Sequence, residues 1–341
     1  MKKIVLLTII VMCLFFMAGC IQDGDNGSSA GSVQDYFPII ENTRYVYEGE
    51  GNEFAFYDVY IDYASDNKVQ QRINNGGTEQ VKVIAIEDGK LVNQFSRGEI
   101  YYRQNFLEVT GDQADILLMD PIKEGTTWTL EDSSVRAITD TSADVVTPSG
   151  SYKAVEVVTD GQYGKTVDYY VKDIGLVKTV FITEGSEISS SLSKIVEDVS
   201  LSQTVRFFYP NIDDSKYYYK DVEVSFRTND ITGDVLDAIY KEPISSPLGK
   251  VFSPNTKINS LYINDDGIVY IDLNRTFLTE MNAGSGYEGM ILQSIANTFG
   301  SYYNSEKVIL TIDGGLYESG HIAMMEGEYM TVDYNDIVVI Q

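Results

Sequence analysis

Phe54-Ala55-Phe56-Tyr57-Asp58-Val59-Tyr60-Ile61-Asp62-Tyr63 has a period of two: Ala55, Tyr57, Val59, Ile61 and Tyr63 share one side, and Phe54, Phe56, Asp58, Tyr60 and Asp62 the other. Successive side chains of a strand point to opposite faces, so this alternation predicts β-structure rather than a helix. Val81, Val83 and Ala85 continue the habit and lead into Glu87-Asp88-Gly89-Lys90, a hairpin turn with Asp-Gly at its centre. Further strands are expected at 100–108, 127–131, 143–147, 154–159, 167–171 and 176–182, separated by Gly111-Asp112, Gly125, Pro148-Ser149-Gly150, Asp160-Gly161 and Gly175. Many short strands with frequent turns predict an antiparallel all-β domain over residues 36–183, either a curled sheet or a barrel. The supply of 25 Tyr against only 7 Pro suits that reading. Trp128, the only Trp, is expected in the core.

Residues 184–202 are polar and Ser-rich and read as a linker. The remainder, 203–341, changes character. Strands are expected at 205–209 and 222–226, and Thr232 is placed to cap a helix carrying Val235, Leu236 and Ile239 on one face. Residues 248–256 read as an irregular loop, and 260–263 with 268–273 as a hairpin around Asp265-Asp266-Gly267. Ser285 stands three before Glu288, a capping box, and Met290, Ile291, Ile295 and Phe299 follow at helical spacing, with Ser294 and Thr298 small enough to lie against a sheet. A strand at 308–312 ends at Asp313-Gly314-Gly315. The order ββα, ββα, β predicts helices packed on a mainly antiparallel sheet, which makes the whole chain α+β.

At the amino terminus, Lys2 and Lys3 precede an apolar run from Ile4 to Met17, interrupted only by Thr8, and a polar stretch begins at Gln22. Positive, apolar, small and then polar is the order of a secretory signal peptide. As a helix the run reaches about 21 Å, short of a hydrocarbon core of about 30 Å, which disfavours a membrane span. Met17-Ala18-Gly19-Cys20 resembles a bacterial lipobox. That resemblance implies removal of residues 1–19 and a diacylglycerol on Cys20, holding the chain to a membrane from outside; two or more acyl chains make such an anchor stable. Residues 20–35, mostly Gly, Ser, Asp and Asn, then read as a lipidated flexible tether. Cys13 leaves with the signal, so no thiol remains for a disulfide, a zinc site or a nucleophile.

The formal charge is −26, and loss of Lys2 and Lys3 makes it two units more negative. Such a chain repels nucleic acid and anionic headgroups and gains solubility. His321 is the only His, without a Ser or Cys pattern for a triad or further ligands for zinc. Asp272 and Asp313 sit at a strand end and a turn, where backbone bonding is the expected use. Residues 211–215 and Asp265-Asp266-Gly267 lack the full calcium-loop pattern. No catalytic, cofactor or metal residue is therefore assigned, and no enzyme activity is expected.

Two further resemblances bear on function. Tyr36-Phe37-Pro38, Tyr45-Val46-Tyr47, Gly125-Thr126-Thr127-Trp128, Pro148-Ser149-Gly150-Ser151-Tyr152 and the stretch from Tyr169 to Val177 resemble a domain recurrent in secreted bacterial proteins. The stretch from Thr204 to Asn211, Leu261 to Asn264 with Gly267, Val269 to Asn274, the helix from Ser285 to Phe299 and Val308 to Gly314 resemble a GerMN domain of sporulation and germination lipoproteins. The second resemblance covers about 203–335 and implies a non-enzymatic extracytoplasmic domain that contacts an envelope protein or a ring assembly. Its family protein carries two such domains, and one is found here. A peptidoglycan- or glycan-binding module, with tyrosines stacking on sugar, is the alternative that the Tyr-rich first half suggests.

Overall fold

The alternation at 54–63 becomes a strand only from Tyr57; Phe54 and Phe56 lie exposed in the turn before it. In the computed structural model, which describes residues 31–340 apart from 110, 112 and 113, this strand is one of twelve in a single sheet. They are β1 (Arg44–Glu50), β2 (Tyr57–Ala64), β3 (Lys68–Asn74), β4 (Glu79–Glu87), β5 (Lys90–Gly98), β6 (Asp115–Met119), β7 (Thr127–Thr129), β8 (Val135–Thr147), β9 (Gly150–Gly161), β10 (Gly164–Val171), β11 (Gly175–Thr183) and β12 (Ser186–Val196). Their order is β6-β5-β4-β3-β2-β1-β12-β11-β10-β9-β8-β7. It is two antiparallel meanders sewn together by the β1–β12 pairing. Tight turns make the neighbours: Asp88 and Gly89 both take positive φ, 48° and 68°, between the paired Glu87 and Lys90.

The sheet curls without closing. Bulges between Ile61 and Tyr63, Val83 and Ile84, and Tyr169 and Tyr170 bend its strands. The two edges, β6 and β7, are not paired by backbone among the described residues. Side chains join them instead: Trp128 Nε1–H donates to the Ile116 carbonyl (2.9 Å), and Arg136 bonds Asp115 (2.9 Å) and the same carbonyl (2.5 Å). The curled-sheet alternative is thus the correct one, and Trp128 is buried as expected. The curl encloses a cavity of about 390 Å³.

Strands β2 to β5 are covered on both faces. Val59, Ile61, Val69, Ile84 and Leu91 face the interior of the curl, whereas Tyr60, Val81, Val83 and Phe95 face the second half of the chain. The bulge at Asp62 turns Tyr63 to the side of Tyr60, against the simple alternation.

That second half contains β13 (Leu201–Asn211), β14 (Lys216–Phe226), α1 (Thr232–Tyr240), β15 (Ile258–Ile263), β16 (Val269–Leu273), α2 (Thr276–Met281), α3 (Ser285–Tyr303), β17 (Lys307–Ile312), β18 (Gly315–Leu316), β19 (Met330–Thr331) and β20 (Ile337–Val339). The expected single layer is two sheets, β13-β14-β20 and β15-β16-β17-β18, with β19 beside β17. Both contain a parallel pair, β14 with β20 and β16 with β17, because helices α2 and α3 carry the chain back between the latter two. Ile291, Ile295 and Phe299 of α3 are buried, and Thr298 Oγ1 accepts from Phe208 N–H (3.0 Å), so its small residues do meet a strand. Neither expected cap forms. Ile231 and Gly284 hold the N-cap positions. Thr232 donates to the Arg103 carbonyl (3.1 Å), and Glu288 is buried under the Tyr317 hydroxyl (2.8 Å).

The linker expected at 184–202 does not exist as one. Residues 186–196 are β12, paired to β1 and β11. Ser189 and Leu192 are buried, and Ser190 donates to the Ala55 carbonyl (2.7 Å), so the polarity of the serines hid a strand. Residues 31–35 likewise depart from the flexible tether. A 3-10 turn, Val33–Tyr36, buries Val33 and Tyr36, with Val33 N–H on Asp120 Oδ1 (3.0 Å) and Asp173 N–H on the Asp35 carbonyl (2.7 Å). Conversely, 100–108 is no strand. It is an irregular segment held between the halves by β3 side chains in place of a partner strand. Arg72 donates to the Ile100 and Tyr102 carbonyls (2.6 and 2.8 Å), and Gln70 pairs with Gln104 carbonyl and Phe106 N–H (2.9 and 2.7 Å).

The halves meet in one hydrophobic cluster, beside a second that lies wholly in the first half, and across a buried ionic seam. Asp62, fully buried, meets Arg72 at 2.9 Å and Arg103 at 3.9 Å. Arg103 donates to the carbonyls of Asp62 (2.7 Å), Arg227 (2.9 Å) and Asp230, and its guanidinium lies 4.1 Å from the Tyr63 ring centroid. Gln104 holds both backbone groups of Ile263, which blocks that end of edge strand β15. Among the described residues, no helix is long and apolar enough to cross a membrane.

Candidate functional site

Strand pairing places Tyr262 opposite Tyr270, Tyr270 beside Ile309, and Thr311 opposite Leu316. These residues lie on the side of the sheet away from α3, because Val269, Ile271, Leu273, Val308, Leu310 and Ile312 take the buried side. Tyr262 and Tyr270 stack with centroids 5.4 Å apart and ring planes 8° apart. Tyr262 is 40% and Leu316 53% exposed. At one margin, Lys307 Nζ lies 4.7 Å from the Tyr329 ring centroid.

Acidic groups rim this face. Asp266 accepts from Ile268 N–H (2.9 Å) and the Tyr270 hydroxyl (2.9 Å). The backbone bond, then the tyrosine, holds its carboxyl below the usual range, and the same contact raises the Tyr270 hydroxyl. Asp272 receives Thr311 Oγ1–H (2.6 Å), Gly314 N–H (2.8 Å) and Asn259 Nδ2 (2.8 Å). Asp313 receives Arg275 N–H (3.2 Å). Both are used as backbone-bonding turn residues. His321 is exposed and gives its N–H to Ser319. In 211–215, Asn211 accepts from Asp213 N–H and Asp214 from Lys216 N–H, so these oxygens cap their own turn. Among the described residues, no three His, Cys, Asp or Glu gather at metal-binding distance. Cys20 lies outside the described residues.

Residues 206–318 match the family model Germane, described as sporulation and spore germination. The chain carries a C-terminal Germane domain. Its uncovered sheet face lies almost wholly inside the matched span. Three solved structures are similar at lower precision. The tandem GerMN domains of the sporulation protein GerM from Bacillus subtilis share 24% identity over 40% of this chain and 47% of that one, with a TM-score of 0.27. The first GerMN domain of the same protein shares 16% over 39% of this chain and 99% of that one, at 0.28. A Bacteroides fragilis protein described as exported, with a YmcC-like fold, shares 13% over 48% and 99%, at 0.30. This chain spans about half the length of the tandem protein. The search of curated proteins gives no match.

The stacked tyrosines were not singled out in the sequence. Tyr262 and Tyr270 stand either side of the Asp265-Asp266-Gly267 turn, and that symmetry about a hairpin was the available signal. Of the tyrosines of the first half, Tyr45, Tyr47, Tyr60, Tyr63, Tyr102 and Tyr170 are buried, whereas Tyr101 and Tyr163 are exposed.

Proposed function

We propose that the protein is a non-catalytic contact lipoprotein of the extracytoplasmic envelope, acting in sporulation or spore germination, anchored through diacylglycerol on Cys20. Its Germane domain docks a basic envelope protein on the Tyr262–Tyr270–Leu316 face. The observation that carries this reading is that face: an exposed aromatic and aliphatic sheet surface with an acidic rim, in the span matched by the family model. Exposed aromatic clusters are the usual anchors of protein interfaces, and charge complementarity selects the partner. The family description supports the cellular setting, and the signal and lipobox pattern supports the anchor.

The test places a photo-crosslinking amino acid at Tyr262 or Leu316 of the full chain in intact cells. A control site is Tyr163, 82% exposed on the β9–β10 hairpin. A discrete adduct with an envelope protein from 262 and 316, absent from 163, is expected. Adducts from neither position, or the same adducts from all three, would overturn the docking face. Labelling with a lipid precursor that is lost on Cys20→Ala tests the anchor separately.

A further inference from the structure

The cavity within the curled sheet lies away from the docking face and has a different chemistry. At about 390 Å³ it falls within the ~300–1,000 Å³ range of small-molecule sites. Its wall is largely aliphatic and aromatic, with Val59, Ile61, Tyr47, Tyr57 and Tyr170 among the lining side chains. Four charged side chains also reach it: Lys82, Asp115, Arg136 and Asp168.

Three of these four are engaged. Arg136 and Asp115 hold each other at 2.9 Å, and Arg136 also bonds Thr159 (2.8 Å). Asp168 accepts the Thr179 hydroxyl at 2.6 Å. Lys82 stands apart: among the described residues its ammonium makes no hydrogen bond, and no carboxylate lies within 4.0 Å of it. Burial pushes its ammonium pKa down, and the more distant Asp115 and Asp168 only partly oppose this. Burial also raises the Asp168 carboxyl, which weakens it as a counter-charge.

A lysine enclosed in a sheet normally snorkels to water or pairs, since an unpaired buried charge is costly. Lys82 is partly buried, and its side chain lines the cavity. It sits mid-strand in β4, between β3 and β5, and the other face of β4 is covered by the second half of the chain. Its ammonium is therefore the one charged group of the four that no side chain in the cavity engages directly.

We propose that this cavity binds one small organic acid, its apolar body against the tyrosine and aliphatic wall and its carboxylate paired with Lys82 Nζ. The ionic contact would be a charge-assisted hydrogen bond, in which the ligand supplies the partner that Lys82 lacks. An acyl-chain acid and an aromatic acid both have this chemistry.

The test uses two dyes of one shape on residues 31–341, which contain both halves of the fold. Anilinonaphthalene sulfonate carries an anionic head; N-phenyl-1-naphthylamine lacks it. One-to-one binding of the anion is expected. Lys82→Met, which keeps an apolar side chain and removes the charge, should weaken the anion at least tenfold and leave the neutral dye within twofold. Gln71→Phe, placed opposite Lys82 on β3, should fill space and weaken both. Competition then distinguishes the sources: decanoate displacing more strongly assigns a lipid-derived acid, and 1-naphthoate an aromatic one. Failure of either dye to bind, equal loss of both dyes in Lys82→Met, or displacement by neither acid would overturn the proposal.

Discussion

Lys82 is held at the expense of stability, because its charge has no partner in the folded chain. Lys82→Met should therefore raise stability by roughly 0.5–2 kcal/mol. The sign with pH follows from its depressed pKa. The folded state releases this proton before the unfolded chain does, so the penalty is complete below the folded pKa and fades as pH rises toward the ordinary 10.5. The advantage of Lys82→Met, measured by urea unfolding between pH 7 and 10, should shrink as pH increases. Asp62 is the opposite case. It is buried between Arg72 and Arg103, and Asp62→Ala leaves two buried cations facing each other. A loss of about 3–5 kcal/mol in the same measurement is expected. Neither role was legible in the sequence. Both residues lie in alternating strands where the polar side is ordinarily solvated, and only the second half of the chain, folded over β2 to β5, makes both sides interior.

The elements were easiest to read where apolar residues alternate and turns carry glycine, as at β4–β5 and β15–β16. They were misread where side chains substitute for backbone partners. Residues 100–108 have the composition of a strand, yet Arg72 and Gln70 occupy the backbone groups a neighbouring strand would have used. Serines concealed β12 for the reverse reason, since its backbone pairs with β1 and β11 although its side chains are mostly polar. The edges of α3 show a tighter constraint. A Cβ at Gly300 would meet a Val332 side-chain atom at 2.3 Å and the Ser305 carbonyl at 2.8 Å. Gly300→Ala should cost about 1–3 kcal/mol. Faster amide exchange at 330–334, beyond the global loss, would show that the helix has been pushed off this segment; an unchanged unfolding midpoint would refute the close approach.

At the scale of the molecule, the shared core and the Asp62 seam predict one unfolding transition. Trp128 reports on the first half alone. Ile295→Ala, a cavity in α3, should cost about 2–5 kcal/mol. It should lower the Trp128 fluorescence midpoint in step with the far-ultraviolet signal. A Trp128 transition left in place would mean that the halves unfold separately.

The seam also bears on how such a chain can be inherited. A Germane domain that recombined freely would need a polar outer surface of its own. Here Phe226, Leu201 and Tyr303 are completed by Tyr60, Val83 and Phe95 from the first half. Cutting the gene at residue 200 would expose apolar surface on both products and leave Arg103 without the carbonyls of Arg227 and Asp230. Descent of this chain is therefore descent of the pair. Substitutions along the seam in one half should be tolerated only with matching changes in the other.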